Sequence, residues 1–201
     1  MPSRSILFVL SLSHMSNHII MMLIPSMYIN LIDFFSLNAT EVGLIFGIVS
    51  FCFGVGSLPM SFLYNKYGPK KLIAFSQVGI MISALLVSTS NSVLMFSFSS
   101  ILLGLFASIH HPVSLTLISE TFEKNIAKAN AFHGVFGSIG VSLGPLISYF
   151  ALLNYSWHYA FIFTAILNAF LIPLSLKFIP NTDKMDIISI NDFNDSRQNS
   201  I

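Results

Sequence analysis

The charged residues of this chain leave four long stretches empty, and those gaps restrict what it can fold into. Between Arg4 and Asp33 lie 28 residues without Asp, Glu, Lys or Arg. Glu41 to Lys66 leaves 24, Lys71 to Glu120 leaves 48, and Lys128 to Lys177 leaves another 48. A helix that crosses a bilayer needs about 20 consecutive apolar residues. Each shorter gap therefore holds one helix, and each longer gap holds two joined by an uncharged hairpin. Turn-forming residues stand where those hairpins must lie, Ser88-Thr89-Ser90-Asn91-Ser92 and Asn154-Tyr155-Ser156. The expected spans are Ile6–Ile32, Val42–Leu63, Leu72–Val87, Val93–Ile118, Ala131–Leu153 and Tyr159–Ile179. The first is too long for a cleaved secretory signal, carries His14, Asn17 and His18, and has no small-residue cleavage site after a short apolar core.

Composition supports lipid as the solvent. Of 201 residues, 54% are hydrophobic and 8% charged, against roughly 25% charged in a soluble domain. Twenty Phe and nine Met exceed what a soluble core of this size could hide. A net charge of +1 offers nothing to attract nucleic acid. Cys52 is the single cysteine, so no disulfide can form within the chain. Lys and Arg favour the cytoplasmic side of a membrane. With the N-terminus inside, Arg4, Lys66, Lys70, Lys71, Lys124, Lys128, Lys177, Lys184 and Arg197 all fall inside, and the three outer loops carry none. The expectation is an all-α, multi-pass protein of the plasma (bacterial inner) membrane, with six transmembrane helices and both termini cytoplasmic. Composition shifts after Pro180: residues 1–180 form the bundle, and Asn181–Ile201, rich in Asn, Asp and Ser, reads as a polar cytoplasmic tail with a weak amphipathic segment at Ile187–Phe193.

Histidines are the unusual chemistry. His14 and His18 are one helical turn apart with Asn17 on their face, His110 and His111 precede Pro112 in the fourth span, and His133 opens the fifth. Polar groups inside spans are costly and face protein or an aqueous cavity, and imidazole exchanges protons near neutral pH. Two readings stand level: hydrogen bonds that bridge helices, and substrate or proton handling by His14, Asn17, His18, His110, His111 and His133. A metal ion is the lesser third. The His14/His18 spacing suits one, but no Cys or acid joins the pair, and no metal ligand is assigned from the sequence.

Two further motifs stand out. Ser61-Phe62-Leu63-Tyr64-Asn65-Lys66-Tyr67-Gly68-Pro69-Lys70-Lys71 is a tight turn with a glycine pivot and a cationic cluster, which by itself serves to fix topology. The fifth span carries Gly134, Gly137, Gly140, Gly144 and Pro145. These glycines fall within roughly a third of the helix circumference, a stripe that admits a second backbone closely, while Pro145 removes one hydrogen bond.

The loop resembles the major facilitator superfamily signature Gly-x-Leu-x-Asp-Arg-x-Gly-Arg-Lys, matched or conservatively replaced at Leu63, Lys66, Gly68 and Lys70, with Lys71 beside them. Asn65 stands for the Asp of the family's charge-relay latch and carries no charge. Gly140-Val141-Ser142-Leu143-Gly144-Pro145-Leu146-Ile147-Ser148 is similar to the Gly-x-x-x-Gly-Pro-x-x-Gly element of the family's fifth helix. Ala107-Ser108-Ile109-His110-His111-Pro112, Ala131-Phe132-His133-Gly134 and Trp157-His158-Tyr159-Ala160-Phe161 resemble the fosmidomycin-resistance-like exporter branch. The Arg that many proton antiporters of the family carry in the fourth helix is replaced by Ser100, and no acid lies within a span.

The resemblance implies the N-terminal half of a two-bundle carrier, its tail being the start of the inter-bundle linker. The implied function is secondary, alternating-access transport of an unidentified small solute, with export as one direction and no cofactor. Its partners would be the lipid bilayer and either a separately encoded second half or a second copy. Alone, such a half should expose half a cavity and its glycine-lined face. The rival is a non-transporting six-helix assembly or regulatory subunit. An enzyme is not expected, since no acid pair, phosphate loop or nucleophile–His–acid set is present.

Overall fold

The computed structural model describes residues 2–181. The tail beyond Asn181, with Lys184, Arg197 and the segment Ile187–Phe193, lies outside the described residues.

Among the described residues, six spans are built from nine α-helices: α1 (Pro2–Ser26), α2 (Tyr28–Phe35), α3 (Ala39–Gly56), α4 (Met60–Tyr67), α5 (Pro69–Ser88), α6 (Val93–Ala107), α7 (His110–Thr121), α8 (Ile126–Asn154) and α9 (His158–Phe178). Six of their stretches are long and apolar enough to cross a membrane. Caps explain several starts. Asn38 accepts from the Glu41 amide at 3.0 Å while the Glu41 carboxylate accepts from the Asn38 amide at 2.8 Å, a capping box that opens α3. Ser92 caps α6 through the Met95 amide. Gly68, at φ 76°, turns α4 directly into α5, where Pro69 occupies the first turn.

Three spans are broken where the sequence suggested continuous helices, and each break has a proline nearby. Pro25 precedes the α1/α2 joint at Met27 by two residues. Pro59 sits in the α3/α4 joint, where Leu58 and Met60 bond only three residues back. Pro112 has no N–H for the Ser108 carbonyl, and the chain breaks at Ser108–Ile109 between α6 and α7. The fifth span also begins earlier than expected, at Ile126, so His133 lies two turns inside α8 instead of opening it. Lys128 ended the charge-free gap but is held within the first turn of the helix, where a cation can sit at a membrane boundary.

α1 is the central element, packed chiefly on α8 and α9, while α5 rests on α9 and α6, and α3 on α6. Two apolar clusters fill the bundle. One gathers Ile19, Leu23, Leu103, Phe96 and Phe161; the other gathers Ile6, Leu10, Ile73, Val113 and Leu117. On α1, the residues between Leu10 and Ile19 include Ser11, Ser13, His14, Ser16 and Asn17, all buried, and half-buried His18. The same alternation recurs on α5 at Ser76 and Gln77, and on α9 at Thr164, Asn168 and Ser175. A polar belt thus crosses the bundle between two apolar layers.

Candidate functional site

The belt is held by hydrogen bonds between spans, as bilayer-embedded polar groups require. Gln77 Nε2 donates to Ser13 Oγ and to Ser175 Oγ, both at 2.8 Å. Asn168 Nδ2 donates to Ser16 Oγ at 3.0 Å. Asn17 Nδ2 donates to the Ala107 carbonyl at 2.9 Å, which satisfies an acceptor at the very end of α6, beside the break. Asn17 therefore tethers α1 to the joint that presents the His110–His111 pair.

Five of the six predicted polar residues converge as one cluster of rings. His14 stacks on His133 with centroids 4.1 Å apart and planes 4° from parallel, and His110 lies parallel to His133 at 6.0 Å. His14 also meets His18 and His111 edge to face, at 4.6 and 4.5 Å. His14 Nδ1 lies 2.9 Å from the His133 carbonyl. A carbonyl can only accept, so Nδ1 carries the proton and a neutral His14 presents a bare lone pair on Nε2. That Nε2 is 3.0 Å from His18 Nε2. Ser114 Oγ approaches His133 Nε2 at 3.4 Å. Both ring nitrogens of His110, and Nδ1 of His133, are sealed from solvent without a hydrogen-bond partner. His14, His110 and His133 are buried; His18 and His111 are half-buried and form the accessible edge of the cluster. The sixth histidine, His158, is elsewhere, stacked on Trp157 at 3.8 Å.

The glycine stripe of α8 makes the cluster possible, and here one expectation is corrected. Gly137, Gly140 and Gly144 are not an exposed face but are covered by α1. A Cβ on Gly137 would meet the His14 ring, one on Gly140 the Met15 carbonyl and His18 Cβ, and one on Gly144 Met22 Cβ. Gly134 does not belong to this packing: it is exposed and a Cβ there meets nothing within 4 Å. It lies at the edge of the arc, about 60° from Gly137 at 100° per residue. Pro145 is exposed, and α8 continues through it to Asn154.

In the signature loop, Leu63 is half-buried, Gly68 is buried, and Asn65, Lys66 and Lys71 are exposed, with Lys70 between. A contact the sequence did not announce spans the loop: Tyr64, buried in α4, donates its hydroxyl proton to Glu120 near the end of α7. Burial and this carboxylate hold the Tyr64 phenol well above its ordinary range. Ser100, in the position of the family's Arg, is buried with its hydroxyl unpartnered. Gln77, Asn168, Ser13, Ser16, Ser175 and Ser114 were also missed. Gln77 had a signal, being the one Gln inside a charge-free gap; isolated serines in apolar spans had none.

Comparison with known proteins agrees with this architecture. The family model described as Major Facilitator Superfamily matches residues 6–192. A class H tetracycline resistance protein of Pasteurella multocida is 28% identical over 193 residues, covering 94% of this chain and 48% of that protein. A probable nitrate transporter NarT of Staphylococcus aureus is 25% identical over 141 residues, covering 68% of this chain and 35% of the relative. The inward-open xylose transporter XylE of Escherichia coli superposes with a TM-score of 0.79 at 18% identity, over 92% of this chain and 51% of its own. The chain thus spans about half of the length of these relatives, or less. Six apolar spans, a central α1 locked to a glycine-striped α8, and a family match over nearly the whole chain place this protein in the major facilitator superfamily, as a six-helix half matching the N-terminal bundle.

Proposed function

We propose that this chain is the N-terminal bundle of a secondary carrier that moves a small solute across a bacterial plasma membrane by alternating access. The observation that carries this reading is the polar belt at mid-depth, edged by half-buried His18 and His111. Carriers built of two bundles place their substrate between the bundles near the bilayer midplane. The fosmidomycin-resistance-like motifs and the resistance protein among the relatives favour export. No chemical step is required of any residue; half-buried His18 and His111 meet the solute or exchange protons, with His14, His110 and His133 packed behind them and Asn17 holding α1 to their joint. The cationic residues at the α4/α5 and α7/α8 joints, with Arg4 and Lys177, favour a cytoplasmic location for the end of the bundle where α1 starts and α9 ends.

A second six-helix half is the partner this reading requires. Its support is uneven burial: in a stretch of 18 residues, 61% of the first span is buried but only 11% of α3 and 22% of the fifth. The decisive experiment co-expresses the chain with the reading frame downstream and measures flux of sugars, nitrate and amphiphilic drugs in everted vesicles. Saturable flux that needs both products, and falls with His111→Ala, is expected. A stable complex with an unrelated protein and no flux would instead favour an assembly or regulatory subunit.

A further inference from the structure

We propose that His14, His18 and His111 form a site for a borderline divalent transition-metal ion of the zinc class. One ring nitrogen from each lies within 4.8 Å of the other two. A tetrahedral ion bound about 2.0–2.1 Å from its ligands holds their nitrogens roughly 3.3 Å apart. The His14 Nε2 to His18 Nε2 distance of 3.0 Å is already at that scale, and the His111 nitrogen lies within 4.8 Å of the nitrogens that the other two offer.

Ring orientation separates a coordinating set from a packing set. Three imidazoles aimed at one ion cannot be mutually parallel. His14, His18 and His111 meet pairwise at 68°, 88° and 81°. His14, His110 and His133 instead lie within 4°, 6° and 9° of parallel and form a stack. His14 belongs to both sets, and its role in the first is fixed by the second. Its Nδ1–H is held by the His133 carbonyl at 2.9 Å, so Nε2 is the unprotonated atom and points at His18. Metal-binding histidines are oriented in this way, by a hydrogen bond from the other ring nitrogen. Gly137 contributes by leaving the room that the His14 ring fills.

Three neutral imidazoles leave the ion its full double charge and an open fourth position. His18 and His111, half-buried, put that position on the accessible edge of the cluster. The natural fourth ligand is therefore an anion: hydroxide, chloride, or a carboxylate of a bound solute. No acid from the cluster's own helices competes, because α1 and α8 contain none and α7 carries only Glu120, near its far end.

The test uses the full chain purified without a histidine tag, in detergent, titrated with Co²⁺. One Co²⁺ per chain is expected, with the intense visible absorption of a four-coordinate ion, displaced by equimolar Zn²⁺. His18→Gln and His111→Gln should each abolish the band, Gly137→Ala, whose methyl would push the His14 ring off the His133 carbonyl, should weaken binding about 10–100-fold, and His158→Gln should leave it intact. X-ray absorption on the wild-type zinc complex, which does not depend on any variant folding, should show three imidazole nitrogens. Absence of stoichiometric binding, fewer imidazoles, or a band that survives both glutamine substitutions would overturn the site. Metal binding is measured without transport, so a failure of the carrier reading is distinguishable from a failure of this one.

Discussion

Single atoms at the α1/α8 contact have calculable consequences. Gly134, Gly137 and Gly140 share one helix, so alanine gives each the same gain in helix propensity, about 0.8–1.0 kcal/mol. They differ in what the new methyl group meets. At Gly134 it meets nothing within 4 Å; at Gly137 it meets the His14 ring; at Gly140 it meets the Met15 carbonyl, part of a backbone that cannot turn away. Gly134→Ala should therefore be neutral or slightly stabilising. Gly137→Ala should cost about 1–3 kcal/mol by overpacking, and Gly140→Ala should cost more. Unfolding in mixed micelles checks the order, and equal effects at all three positions would refute the packing. Tyr64 makes a second residue-scale prediction. Its folded pKa lies above the ordinary 10.0 because burial and the Glu120 contact favour the neutral phenol. A group raised in this way stabilises the fold fully below the unfolded pKa and loses that contribution as pH climbs past it. Stability should decline above about pH 10 in the wild type. Tyr64→Phe should cost about 1 kcal/mol at neutral pH and remove Tyr64's share of the alkaline decline. A stability-versus-pH curve unchanged by the substitution would show that the contact carries no weight.

At the scale of elements, the breaks matter more than the helices. Six spans were legible because a gap between charges is a property of the chain, needing no knowledge of packing. The joints at Met27 and Ser108–Ile109 were not, because a proline says which carbonyl loses its partner but not where the helix yields. The carbonyl at the end of α6 finds its answer in a residue 90 positions away: Asn17. Asn17 was legible as polar and costly, and its face was shared with the histidines, but its partner could not be read from the sequence. The convergence of His14, His18, His110, His111 and His133 was half legible. Two pairs were visible by spacing, whereas the placement of His133 depends on α8 starting at Ile126. Asn17→Ala should leave the Ala107 carbonyl buried and unpaired, at about 1–3 kcal/mol. Asn17→Asp removes the donor and should cost at least as much, whereas Asn17→Gln should recover part of the loss. A uniform effect of all three would mean that volume, not the hydrogen bond, holds α1 to the joint.

For the whole molecule, the question is which surface faces lipid and which awaits protein. The glycine face expected to lie open on α8 is taken up by α1, so the open small-residue surface must be found elsewhere. It is on α3. At about 100° per residue, Gly43, Gly47, Ser50 and Gly54 fall within an arc of roughly 60°, and a Cβ on any of these three glycines meets nothing within 4 Å. Beside this strip stand Leu44, Ile48 and Phe51, exposed by 63%, 41% and 69%. Lipid tails fit large apolar side chains, but they gain little from a groove of glycines, which instead lets a helix backbone approach. The proteins it resembles, of which it covers 48% and 51%, carry a further stretch of about this chain's size. Gly47→Leu should therefore leave the thermal stability of the isolated chain within about 1 kcal/mol, since it fills empty space. It should nonetheless abolish co-purification with the second half. Phe51→Leu, on the lipid-facing side of the same helix, should leave both unchanged. Self-association lost in Gly47→Leu would identify a second copy as the occupant. Intact pairing and intact flux in that variant would show that the strip faces lipid after all.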